Sequence, residues 1–214
     1  MLMQDQNITD QDKHSSHSVQ ESNYLQSQLL IAMPGLEDPY FKQSVTLICQ
    51  HSNQGCFGLT INKPIHVSIE DVLKQLKLDP SKINSTTKDN QNSLFSKPAL
   101  RGGPVQIEQG FVIHNSDQTW DNTLSINEEL SVTASQDILI DIANGNGPEN
   151  YLLTLGCASW EAGQMEAEIL NNSWLNCPVD KKIIFNMPFE KRWQGAADIL
   201  GINLSALSVI SGHD

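Results

Sequence analysis

The sequence predicts a mixed α/β fold of the α+β type. Two observations carry that reading. Three β-type runs open the chain with no helix between them, and helical patterns then alternate with further β-type runs. Scale agrees: 214 residues, 39% hydrophobic and 18% charged, are ordinary globular composition and enough to bury a core without disulfide or metal support.

Residues 29–33, 44–50 and 57–62 are rich in Val, Ile, Thr, Leu and Phe and bounded by polar turns, the mark of strands. Ser52-Asn53-Gln54-Gly55 predicts a hairpin joining the second to the third. Ser68-Ile69-Glu70-Asp71 reads as a helix start leading into Val72, Leu73 and Leu76. Strands are predicted next over 110–114 and 130–133, and Ser135 is placed to cap a helix over 136–143 that stops near Asn144-Gly145. A strand over 151–155 leads to Ser159, expected to cap a helix reaching about Asn171, with Glu161 near its positive end. Residues 182–185 read as a last strand. Pro188 then precedes a helix over 189–200 whose apolar face is Phe189, Trp193, Ala196, Ala197 and Leu200, ending at Gly201.

Two stretches fall outside this pattern. Residues 1–24, rich in Gln, Asn, Ser, Asp and His, predict a disordered polar tail. Residues 25–214 are expected to form a single domain interrupted by a long polar loop at 79–98.

Charge excludes some functions. The formal net charge is −12; Asp5, Asp10, Asp12, Glu21 and Lys13 give the first 24 residues −3, leaving −9 on the rest. Nucleic-acid binding rests on Lys and Arg neutralising phosphates, and the nearest basic grouping is only Lys181-Lys182 with Lys191-Arg192. Anionic membranes are equally disfavoured. Cys49, Cys56, Cys157 and Cys177 match no C-x-x-C signature. The opening residues lack an export signal, and the run 29–33 is far short of a bilayer span. Free thiols in the cytoplasm are the expectation.

Candidate chemistry is sparse. Ser159 lacks the flanking glycines of a hydrolase elbow, since Cys157 and Glu161 stand in those places. Cys157, near an expected helix start, is a candidate thiolate, and its base would have to be His51, His66 or His114. No metal-ligand spacing and no phosphate-loop motif occurs, so neither metal nor cofactor is expected. Arg101-Gly102-Gly103-Pro104 is either an anion nest or a tight turn. Trp160, Gln164, Glu168 and Asn171 fall on one side of the expected helix.

Several of these segments, taken in order, resemble the YqgE/AlgH family of bacterial proteins from about Leu29 to the C-terminus. They are Leu30-Ile31-Ala32-Met33-Pro34, Asp38-Pro39-Tyr40-Phe41 with Ser44-Val45, and Gly58-Leu59-Thr60-Ile61-Asn62-Lys63-Pro64. Gly102-Gly103-Pro104-Val105 and Gly110-Phe111-Val112-Ile113-His114 follow. Gly156-Cys157-Ala158-Ser159-Trp160 continues through Gly163-Gln164-Met165-Glu166 and Glu168-Ile169-Leu170 to Trp174, then Arg192-Trp193 and Gly201. The resemblance implies a cytosolic protein with a curled, barrel-like sheet flanked by helices. It brings with it the description of a transcriptional regulator, one branch being linked to alginate production. It implies no cofactor and no catalytic residue.

The function expected is therefore a non-catalytic regulatory or interaction protein that binds a protein partner or small ligand. Its expected groove combines Asp38, Phe41, Asn62, Lys63, Gly102, Gly103, Pro104, His114, Trp160, Gln164 and Glu166. Phe41 and Trp160 would pack on the partner, with polar contacts from Asn62, His114 and Gln164. One alternative is an enzyme pairing Cys157 with His114. Another is a DNA-binding regulator, which the net charge disfavours.

Overall fold

A computed structural model describes residues 25–78 and 95–210, the last three by backbone alone. The expected tail at 1–24 and most of the 79–98 loop lie outside the described residues. Phe95 is buried and a strand begins at Pro98.

Among the described residues ten strands make one sheet: β1 (Gln28–Ala32), β2 (Val45–Ser52), β3 (Gly55–Thr60), β4 (Pro64–Ser68), β5 (Pro98–Arg101), β6 (Val105–Asn115), β7 (Thr123–Ser125), β8 (Leu130–Thr133), β9 (Tyr151–Glu161) and β10 (Trp174–Pro178). Their order is β10-β1-β2-β3-β9-β6-β8-β7, with the β4–β5 pair hung on β9. Only β5 runs parallel to its neighbour, through Leu100–Thr154 and Arg101–Leu155; the other pairings are antiparallel. The helices are α1 (Ile69–Gln75), α2 (Asp137–Asn144), α3 (Gln164–Leu170), α4 (Arg192–Asp198) and α5 (Leu204–Ile210).

The sheet curls strongly into a half-barrel. Gln26 Nε2 donates to the Ile126 carbonyl at 3.1 Å and Asn127 Nδ2 to Ser27 Oγ at 2.6 Å. These bonds join the entry of β1 to the β7–β8 turn, although those strands stand far apart in the sheet order. Inside the curl, side chains at alternate positions pack together: Leu29 and Ile31, Val45 and Leu47, Leu59 and Ile61, Phe111 and Ile113. The C-terminal segments close the space with Ile183, Ile184, Ala196, Ala197 and Leu204. Two smaller cores lie on the outer face, one under α1 and α2, the other under α3 around Trp160 and Trp174.

β9 is the common member. Along one edge it pairs with β6, Tyr151 opposite His114, Leu155 opposite Gly110 and Cys157 opposite Val105; along the other it pairs first with β5, through Thr154 and Leu155, and then with β3, Ala158 opposite Gly58. The change of partner falls at Gly156, whose φ of +74° side chains rarely adopt. Gly102 and Gly103 press against it: a Cβ on Gly102 would strike the Gly156 carbonyl, and one on Gly103 the backbone of Cys157 and Ala158.

Helix starts are partly as expected. Ser68 caps α1 with a capping box, accepting from Asp71 N–H at 3.1 Å while Asp71 accepts from Ser68 N–H at 2.9 Å. α2 begins at Asp137 and ends at Gly145 in the left-handed region, but Ser135 does not cap it; its hydroxyl bonds Asp121 and Asp137. Two further expectations are overturned. Ser159 lies within β9 opposite Phe57, and the helix starts only after Gly163, at Gln164. Residues 182–185 are not a strand but part of a π-helical segment, Lys182–Asn186, whose adjacent Ile183 and Ile184 are both buried. β4, β5, β7, β10 and α5 were not anticipated. The 189–200 helix divides into a 3-10 turn, Phe189–Lys191, and α4, leaving Leu200 exposed.

Gly103→Ala is expected to lower unfolding free energy by about 3 kcal/mol or more, because rigid backbone cannot yield to the added methyl. Gly35→Ala, where nothing stands within 4 Å of the new carbon, should stay within about 0.5 kcal/mol of the parent. Urea denaturation of the two variants side by side checks both.

Candidate functional site

A cleft of about 540 Å³ opens on the outer face between α1, α2 and β6. It exists because β6 bulges. Val105 sits opposite Cys157 and Gly110 opposite Leu155, so residues 106–109 of β6 face the single residue Gly156. Gln106 takes a φ of +50°, and the loop this creates carries Ile107, Glu108 and Gln109 outward. Ile107 is 62% exposed. Gln109 Nε2 pins the bulge by donating to the carbonyls of Ala134 and Gly110, each at 3.0 Å.

Val112 and Leu155 form the floor, Val72 and Leu76 of α1 one wall, Leu139 of α2 the other, and Ile107 the overhang. Gln75, Gln109, Ser135 and Gln136 supply polar groups at the rim, and Glu108 is the one lining residue with a charge. The cleft thus combines apolar walls with a few hydrogen-bonding groups, the usual makeup of a ligand site. Among the described residues that line it there is no thiol, imidazole or amine. None of the groove residues expected from the sequence lines it. No motif in the sequence marks the cleft: α1 carries Val72 and Leu76 half-buried beside Ile69 and Leu73 and packed against the same core.

Most of the expected groove residues gather instead around the 33–44 loop and the second half of β9, held by internal bonds. Phe41 stacks on Trp160 at 5.9 Å and meets the edge of Trp174 at 5.5 Å. Glu168 accepts both indole N–H groups, at 3.1 Å and 2.8 Å, while Gln164 donates to it and accepts from Glu161 N–H. Glu166 bonds His51 at 3.1 Å. Asp38 accepts from Tyr40 and Phe41 N–H, and Asn62 bridges Val45 N–H to the Gln43 carbonyl. Gly102 and Gly103 are buried, Pro104 is exposed, and Lys63 donates to the Lys42 carbonyl at 2.6 Å.

His114 stands apart from that group. Its Nδ1 donates to the Asn115 carbonyl at 2.8 Å, which makes Nε2 the acceptor for Thr133 Oγ1 at 2.9 Å. Thr133 in turn accepts from Thr123 at 2.7 Å, and Thr123 from Trp120 N–H at 2.9 Å. The link from Thr133 Oγ1 to Nε2 in this direction requires neutral imidazole. Burial accordingly holds His114 below the ordinary value of 6.5.

The structure does not bring Cys157 and His114 together. His114 is level with Tyr151 on β9, and Cys157 lies six residues further on, roughly 20 Å at the rise of a strand. Cys157 is also mid-strand, so no helix end lowers its pKa; burial raises it. Burial likewise pushes Cys56 up to about 12 and Cys177 to about 11, and raises Cys49 well above the ordinary thiol range.

Two outcomes follow. Below about pH 6.5 the unfolded chain binds a proton at this imidazole that folded His114 refuses, so stability should erode as pH falls from that value. NMR titration of the ring should show an Nδ1–H tautomer and a midpoint under 6.5; a midpoint at or above it contradicts the hydrogen-bond chain. The four free thiols should react with a disulfide reagent at pH 8 on the order of a hundredfold more slowly in the native protein than in urea.

Against known proteins, residues 29–205 match the family model described as AlgH-like. A UPF0301 protein of Methylococcus capsulatus is 42% identical over 193 residues, covering 90% of this chain and 98% of its own. One from Pseudomonas putida is 46% identical over 191 residues, covering 89% and 96%. The solution structure of the AlgH protein from Pseudomonas aeruginosa superimposes with a TM-score of 0.69 at 44% identity, over 90% of this chain and 97% of that one. A crystal structure from Corynebacterium diphtheriae, 20% identical with a TM-score of 0.65 over 85% of this chain and 90% of that one, shares the fold.

Proposed function

The chain belongs to the AlgH-like family, and from that premise we propose that it is a non-catalytic, regulatory binding protein of the cytoplasm. It takes a small ligand, or the apolar side chains of a protein partner, in the cleft between α1, α2 and the β6 bulge. The observation that carries this is the composition of the cleft. Apolar walls offer burial worth about 25 cal/mol per Å², amide groups at the rim offer orientation, and one carboxylate is the whole of its charge. A reaction by general acid and base needs two titratable groups of separated pKa facing one substrate, and the described residues of the cleft supply one.

Location and partner class rest on further observations. Four unpaired thiols suit a reducing compartment, and no helix among the described residues is long and apolar enough to cross a membrane. Regulation in this reading does not run through DNA contact, since a chain of net charge −12 repels phosphates.

Ile107 is the residue to test, being exposed and free of core packing. An uncharged apolar probe such as Nile red should bind the parent protein and shift the NMR signals of Val72, Leu76, Val112, Leu139 and Leu155. Ile107→Glu should fold normally and weaken that binding roughly tenfold, the worth of one lost apolar contact. Probe binding that leaves those signals unmoved, or that the variant matches, overturns the assignment.

A further inference from the structure

Lys63 and Arg101 are two cations fixed against each other, and neither has a carboxylate partner among the described residues. The Arg101 N–H donates to the Lys63 carbonyl at 2.8 Å, so the end of β5 fixes the two residues against each other. The Arg101 guanidinium lies over the Tyr40 ring, 5.8 Å from its centroid. The Lys63 ammonium is oriented by its bond to the Lys42 carbonyl at 2.6 Å. The other cations that do form ion pairs have clear partners: Lys42 has Glu37, Lys74 has Glu70 and Lys181 has Glu129. Neither Lys63 nor Arg101 pairs with any acid among the described residues, in a chain of net charge −12.

This arrangement is costly as it stands. Lys63 is partly withdrawn from water and, with Arg101 beside it, is held below the ordinary lysine range. Its charged neighbour repels it, where a salt bridge would have done the reverse. Meanwhile the donors stay available. One ammonium hydrogen serves the Lys42 carbonyl, which leaves two. The guanidinium uses none of its donors on described side chains or backbone; its contact is to a ring face. Planar guanidinium matches two oxygens of one group, and a compact ammonium adds a point charge.

We propose that Lys63, Arg101 and Tyr40 form an oxyanion site for the phosphate group of a small phosphorylated ligand. Phosphate is favoured over carboxylate by charge. A phosphate monoester carries close to two negative charges above its second ionisation near pH 6 and neutralises both cations, whereas a carboxylate leaves one uncompensated. The site borders the cleft, because Arg101 is the register partner of Leu155 in the cleft floor. It does not depend on the cleft being occupied.

The test uses the full-length protein titrated with inorganic phosphate, glycerol 3-phosphate and sodium acetate at matched ionic strength, followed by backbone NMR. Both phosphates should shift the amides of Tyr40, Lys63, Arg101 and Gly102 saturably, with acetate weaker by roughly tenfold or more. Binding should strengthen from pH 5.5 to 7.5 as the dianion forms. Arg101→Gln, at an exposed position, should fold as the parent does and lose roughly tenfold in phosphate affinity, with Arg101→Lys in between. Lys63→Gln provides a second, independent loss. Equal shifts with acetate, no dependence on pH, or an unchanged affinity in Arg101→Gln each overturn the site, and none of these results bears on probe binding in the cleft.

Discussion

Backbone pressed on backbone, at Gly102-Gly103 against Gly156-Cys157, is the contact on which the rest of the structure depends. No Cβ fits between these segments. Their closeness allows the Gly102 N–H to reach the Leu155 carbonyl at 2.8 Å and the Gly102 carbonyl to receive the Thr60 N–H at 2.8 Å. Three strands are thereby tied at one point, and β9 can pass from β5 to β3 along one edge without losing its hydrogen bonds. The same geometry forces the β6 bulge, because β6 must detour around the kink at Gly156 before it rejoins at Gly110. The cleft is the space under that detour. Arg101 and Lys63 are set beside it by the residues that lead into the two glycines.

Local pattern made much of this legible. Strands whose outer face is covered and those that alternate both show in Val, Ile and Leu spacing, so the expected bounds of β1, β2, β3 and β8 fall within two residues of those observed. Capping chemistry at Ser68 was equally visible, since both halves of the box lie within four residues. Failures have local causes too. Ile183-Ile184 is a two-residue apolar run that fits either a buried strand or a tight helical segment, and periodicity cannot choose over so short a span. Ser159-Trp160-Glu161 looks like a helix start, yet β3 offers its backbone a partner through Phe57 and Cys56, and pairing across the sheet outweighs a cap. β4 and β5 begin at Pro64 and Pro98; proline reads as a breaker in sequence but is tolerated at a strand's first residue.

The candidate site was less legible for a different reason. Residues that carry chemistry in isolation are, in this fold, largely spent on architecture. His114 lies in a hydrogen-bond chain with three other residues. Glu168 is saturated by two indoles and Gln164. Arg192 is buried, donating to the carbonyls of Ile61 and Met187 with its guanidinium 4.5 Å from the Phe189 ring centre, and loses basicity to about 10 through desolvation. A buried polar group without a partner costs far more than a satisfied one gains, so such groups are chosen for the bonds they complete. The cleft, by contrast, is built from Val, Leu, Ile and Gln, residue types that announce nothing until the bulge separates them from the core.

That division of labour bears on how a chain with so much negative charge would recognise anything. A ligand carrying its own negative charge meets repulsion over most of the surface, which argues against broad electrostatic attraction and for a short-range, geometrically fixed counter-charge. Lys63 and Arg101 have that character. Their positions are set by the backbone bond between them, and the two charges repel each other. Neutralising that repulsion on contact adds to whatever the donors themselves contribute. An apolar cleft beside a preformed cation pair would then discriminate by requiring both features in one molecule, an apolar body and a doubly charged head, where either surface alone would accept many.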